Sequence, residues 1–238
     1  MRVATLAAGV AVSMAGCCAG SGAARAAPVE KNEENASART VVATRRVGSV
    51  SLRGGDRRWI LVETKRPGMI RLEVGMPRGV YRAGFDGTTA WETFPGSAAG
   101  RKAFLPEALA RRIAELADLD GPARRWREKG FEVRSSAIGR EGAVVRIDAI
   151  GPTGSPGMLL VDAKTGHIVE WDGSLGDGAR ARRVEARFDA YVGIGGVDLP
   201  SCVSIGAPGE APSVVIEFSG FEIDPEIDDL WFSPPPAP

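Results

Sequence analysis

Between Thr40 and Ile223 the chain reads as strand after strand, with a turn signal in most of the gaps. The runs are short and rich in Val, Ile, Leu and aromatic residues. The gaps carry Gly, Pro and Asp, for example Lys65-Arg66-Pro67-Gly68, Asp86-Gly87 and Lys164-Thr165-Gly166. In such gaps Pro pre-sets φ and Gly accepts a positive φ. The clearest run is Ile70-Arg71-Leu72-Glu73-Val74-Gly75-Met76. Ile70, Leu72, Val74 and Met76 fall on one face; Arg71 and Glu73 fall on the other. One dry face and one wet face suit an antiparallel sheet covered on one side only. Strands without alternating helices exclude a doubly wound α/β fold. They predict a meander that curls into a barrel or deep half-barrel, mainly β within the α+β class.

One stretch breaks the pattern. Leu105 to Gly130 has Pro106 and Glu107 at its start, and Leu109, Ile113 and Leu116 on one helical stripe. Asp120-Gly121-Pro122 interrupts it, and a second short helix runs through Trp126. Helices in mid-meander must pack somewhere, and the open mouth of the sheet is available as the place for a lid.

The amino terminus reads as an address. Arg2 precedes a short apolar run, Val3 to Val12, and Met14-Ala15-Gly16-Cys17 resembles a bacterial lipobox. On that reading residues 1–16 are a signal peptide and Cys17 is the lipidated residue. Residues 17–38 are then the lipidated start and a small, polar, disordered tether. The folded domain spans 39–233, and a Pro-rich tail, 234–238, follows. An ordinary export signal cut near Ala24-Arg25-Ala26 is the competing reading. Cys18 rather than Asp follows Cys17, which points away from inner-membrane retention and toward the outer membrane.

Chemistry is sparse. The 238 residues include 1 His and 3 Cys, and no Cys pair is spaced C-x-x-C. That disfavours His-based triads, multi-His metal centres and dithiol redox sites. No cofactor and no metal are expected. Lys+Arg and Asp+Glu are 30 each, so nothing marks a nucleic-acid partner. His167 reads as an exposed strand-start residue with no acidic partner that can be assigned. Asp224, Glu226, Asp228 and Asp229 lack the spacing of a calcium loop and read as a solvated turn. What remains is an apolar concave face, filled either by side chains or by an apolar ligand.

Motifs in order along the chain resemble the LolA-like lipoprotein carrier superfamily. Lys65-Arg66-Pro67-Gly68 followed by Arg71-Leu72-Glu73 is similar to that family's K-x-P-x-x-x-R-x-E stretch. Phe85-Asp86-Gly87 with Ala90-Trp91, and Leu160-Val161-Asp162 with Thr165-Gly166, follow its later turns. Gly196-Val197-Asp198-Leu199-Pro200 and the ending Asp224-Pro225 to Asp228-Asp229 and Phe232 complete the match. The resemblance implies an unclosed antiparallel barrel of about eleven strands with a helical lid. It implies a non-enzymatic carrier or receptor for acyl chains of lipoproteins or other lipids, with other lipoprotein-sorting components as partners. Trp59, Leu72, Val74, Phe85 and Trp91 are then expected on the cavity floor, and Leu109, Ile113 and Leu116 on the lid. An envelope-stress sensor or scaffold with a packed, ligand-free core is the alternative.

Overall fold

The computed structural model describes residues 41–53, 55–95, 102–105, 130–138, 144–151, 154, 156–175 and 182–235. They form thirteen strands: β1 (Ala43–Leu52), β2 (Arg57–Lys65), β3 (Met69–Met76), β4 (Gly79–Phe85), β5 (Ala90–Thr93), β6 (Lys102–Phe104), β7 (Glu132–Ile138), β8 (Val144–Ile150), β9 (Pro156–Asp162), β10 (Ile168–Leu175), β11 (Arg182–Ile194), β12 (Val197–Gly206) and β13 (Val214–Ile223). All lie in one sheet of order β6-β5-β4-β3-β2-β1-β13-β12-β11-β10-β9-β8-β7. Sheet neighbours are chain neighbours except where β1 pairs with β13, antiparallel like the rest. The chain therefore starts mid-sheet, runs out to one edge, resumes at the other, and returns to pair with its own first strand. The sheet is an unclosed half-barrel, since β6 and β7 are its two edges.

This is the architecture the turn-punctuated pattern predicts, with one strand more than the residue pattern shows. The addition is β6, three residues that extend the sheet beyond β5. The expected helices fall on 106–129, which lie outside the described residues, as do Cys17 and the signal segment. No helix among the described residues is long and apolar enough to cross a membrane.

The turns form for local reasons. Gly68 takes φ +72 after Pro67, and Gly87 takes φ +94. Asp86 Oδ1 accepts from the N–H of Thr88 and Thr89 at 2.9 and 2.7 Å, which closes the β4–β5 turn. Asp162 Oδ1 does the same for Lys164 and Thr165 between β9 and β10.

The main core lies on one face of the sheet and draws on β1–β5 and β8–β13. Cross-strand partners define that face: Val62 opposite Leu72, Leu72 opposite Ala83, Val145 opposite Val161, Val203 opposite Ile216. Residues from both wings belong to a single cluster, so this is the inner face of the curled sheet.

The outer face is treated differently in its two halves. Over β8–β11 it is a ladder of ion pairs open to water, such as Arg146–Asp148 at 2.9 Å and Arg187–Glu185 at 2.6 Å. Over part of β1–β5, around Ala43, Met69, Arg71 and Trp91, it is covered by the C-terminal segment. That segment leaves β13 at Asp224, whose φ is +53, and ends in a 3-10 turn, Asp229–Phe232, capped by the Asp228 side chain. Phe232 is fully buried and joins Ala43, Met69 and Ile227 in a small second core.

That cover corrects the expected wet face of β3. Arg71 and Glu73 do point away from Leu72 and Val74, yet they are 7% and 9% exposed. Alternation assigns a side chain to a face. It does not say whether a distant segment will lie upon that face.

Candidate functional site: the inner face

The inner face is apolar from β5 round to β8. Leu72 and Val74 on β3 and Phe85 on β4 lie on it, all buried, at the positions expected for a cavity floor. Two other expected floor residues do not. Trp59 precedes Ile60 and so points outward; it is 48% exposed, its indole lying against Gly75. Trp91 is fully buried but on the outer side, opposite Gly84 and under the C-terminal segment. Both corrections have one cause. A period of two sends adjacent residues to opposite faces, and bulk does not override parity. Met69 packs outside with Phe232. Leu109, Ile113 and Leu116 lie outside the described residues.

Two charged residues are buried on the inner face among the described residues, and neither was singled out from the sequence; Arg58, opposite Val50 at the end of β2, is a half-buried third whose Nη1 contacts Met76. Arg46 on β1 is opposite Val62 and fully buried. Its guanidinium carbon lies 5.2 Å from the Phe218 ring centroid, within cation–π range. Glu92 on β5 is opposite Ala83 and is 7% exposed. The Tyr81 hydroxyl donates to its Oε2 at 3.0 Å. Burial raises the Glu92 pKa, opposed by that hydrogen bond, and burial raises the Tyr81 pKa well above its usual range. A sequence signal existed for both. Arg46 shares strand parity with Val50, and Glu92 shares it with Ala90 and Phe94. A hydroxyl pair, Thr44 and Thr64 at 2.7 Å, completes the buried polar groups of this face in β1–β5.

The outer network over β2–β4 is built from long-range contacts. Arg71 Nη2 lies 2.6 Å from Glu73 Oε1, and its Nη1 donates to the Trp231 carbonyl at 2.6 Å. The Arg71 guanidinium also stacks on the Trp231 ring at 3.8 Å. Glu63 accepts from Arg45 Nε at 2.7 Å and from the Trp231 indole N–H. Lys65 Nζ donates to the Ile227 carbonyl at 2.7 Å. Every polar group named here has a partner, and together they fasten the C-terminal segment.

Two further features of the sequence resolve into structural roles. Asp224 Oδ1 accepts from the N–H of Val42 at 2.6 Å and of Ala43 at 3.2 Å, tying the ends of the domain together. An open recess of about 560 Å³ beside it is lined by Val42, Lys65, Asp224, Ile227 and Asp228 among others. No group of three or more potential metal ligands is found among the described residues. His167 has an acidic partner after all. Its Nε2 lies 3.0 Å from Asp198 Oδ2, and its ring stacks on Tyr191 at 4.0 Å. Asp198 comes from the β11–β12 hairpin, 31 residues on, a pairing that only the fold creates.

No family model and no curated protein matches this chain. Several solved structures share its fold. A DUF1329 family protein from Desulfovibrio piger has a TM-score of 0.58 at 14% identity, covering 87% of this chain and 94% of its own. A LolA superfamily protein from Nitrosomonas europaea has a TM-score of 0.56 at 14% identity, covering 88% and 99%. An outer membrane lipoprotein-sorting protein domain from Vibrio parahaemolyticus has a TM-score of 0.57 at 9% identity, covering 86% and 92%. At these identities the likeness is one of fold. It agrees with the LolA-like architecture expected from the ordered motifs.

Proposed function

We propose that this protein is a non-enzymatic carrier or receptor of the cell envelope that holds acyl chains of lipoproteins or other lipids against its inner face. One observation carries the reading: the inner face is apolar across almost the whole of an open sheet, and its buried charges among the described residues reduce to Arg46 and Glu92. A half-barrel of this kind gathers one continuous apolar face from both wings of the sheet. Acyl chains moved from water into it gain about 0.8 kcal/mol per buried methylene. Leu72, Val74 and Phe85 form the floor at the β3–β4 end. Leu109, Ile113 and Leu116 close over that face as a lid, so loading and release require them to move. Acylated Cys17 tethers the domain to a membrane, the outer membrane being the destination its neighbouring residue favours. Lipoprotein-sorting components are the partners that would deliver or receive the cargo.

Native mass spectrometry on the exported protein tests this. A mass excess that organic extraction removes and identifies as acyl lipid supports the carrier. An unliganded mass, with no uptake of added lipid or lipopeptide, sinks it and leaves the packed scaffold or sensor.

A further inference from the structure

The surroundings of Glu92 are those of a ligand site. Its carboxylate stands on the inner face near the β6 edge, 7% exposed, in an otherwise apolar wall. Oε2 accepts from the Tyr81 hydroxyl at 3.0 Å; Oε1 accepts from no group of the described residues. Phe94, two residues on, brings a second ring, 5.6 Å from that of Tyr81 and tilted by 53°. A largely buried carboxylate with one oxygen to spare, flanked by two aromatic rings, is the donor set that holds a cation. The oxygen accepts charge-assisted hydrogen bonds and the rings add quadrupole attraction. The inner-face cations Arg58 on β2 and Arg46 on β1 stand three and four strands away, roughly 14 and 19 Å at the usual strand spacing, and Arg58 Nη1 is turned to Met76.

We propose that Glu92, Tyr81 and Phe94 form a subsite for the ammonium head of an amphiphile whose chain lies along the inner face. This rests on the acyl-carrier reading above and adds a choice of head group: ammonium before uncharged, and both before carboxylate. An ammonium N–H donates to Glu92 Oε1, whereas a carboxylate head meets like charge in an apolar wall.

Calorimetric titration of the full chain near neutral pH tests it. The probes are dodecylammonium, dodecyl maltoside and dodecanoate, each below its critical micelle concentration. Dodecylammonium is expected to bind about tenfold more tightly than dodecanoate. Glu92→Gln, which keeps the shape and an acceptor for Tyr81, is expected to erase that preference and leave the maltoside unchanged. Dodecanoate binding as tightly as dodecylammonium overturns the cation subsite and leaves the carrier standing. So does a preference that survives in E92Q. Failure of all three probes to bind overturns the carrier and the subsite together. The ranking in the unmodified protein decides the matter even if the variant fails to fold.

Discussion

The indole N–H of Trp91 donates to the backbone carbonyl of Phe232 at 2.7 Å, across 141 residues of sequence. Both side chains are fully buried on the outer side of the sheet. This bond anchors the C-terminal segment to β5, while Arg71 and Glu63 hold Trp231 beside it. Part of the convex side of β1–β5 is thus covered by the chain's own end, while Trp59 on β2 stays 48% exposed.

Phe232→Ala is expected to destabilise the domain by about 3–5 kcal/mol, since it deletes a buried ring from a small core that cannot collapse around the gap. Trp91→Phe keeps one aromatic ring, removes the other and leaves the Phe232 carbonyl without its donor, at a cost of about 1–3 kcal/mol. Urea unfolding followed by tryptophan fluorescence should rank the two in that order. The reverse ranking would mean that the Trp91 indole, not the Phe232 ring, fastens the segment.

Removing one partner of a buried ion pair costs more than removing both. Arg71→Met strands Glu73 beside the part-exposed Arg82 and leaves the Trp231 carbonyl without its donor; the expected loss is about 3–5 kcal/mol. Adding Glu73→Met to that variant is expected to restore part of the stability. A double variant less stable than R71M, in the same urea measurement, contradicts this account.

Two glycines beneath tryptophans should respond differently to a methyl group. At Gly84 a Cβ would lie 2.6 Å from the buried Trp91 ring, and at Gly75 it would lie 2.3 Å from the Trp59 indole. Trp59 is half exposed and can swing into water, whereas Trp91 has no space to move. Gly84→Ala is expected to cost about 1–3 kcal/mol, and Gly75→Ala less than about 1 kcal/mol. Comparable midpoints in thermal unfolding would show that the Trp91 site yields as easily as the surface.

Stability should depend on pH in opposite senses at two carboxyls. The Thr165 N–H, chief among several hydrogen bonds, lowers the Asp162 pKa from its ordinary 3.8. Its contribution is therefore present above that value and lost as the pH falls through the folded pKa. Burial raises the Glu92 pKa from its ordinary 4.5, so its contribution is present below that value and lost as the pH rises through the folded pKa. Asp162→Asn should flatten the acid limb of the stability profile, and Glu92→Gln the decline on the rising limb. An acid limb unchanged in D162N would remove the Asp162 turn from the explanation.

Local physics already determines much of this protein from its sequence. Period-two alternation places Leu72, Val74 and Phe85 on one face and Arg71 and Glu73 on the other. Gly and Asp at the turns close the meander, and those rules need no knowledge of the rest of the chain. Parity also rules out Trp59 and Trp91 as floor residues, although their bulk and apolar character invite that reading.

Tertiary structure decided what covers each face. Arg71 and Glu73 have the composition of a wet surface, and they are dry because a segment some 160 residues away supplies a carbonyl and a ring. Arg46 and Glu92 sit on a buried face for the same kind of reason, and His167 meets Asp198 only where two hairpins come together. Whether a charge is solvated or buried is set by long-range contacts, and loop closure over such separations leaves no local pattern in the residues themselves.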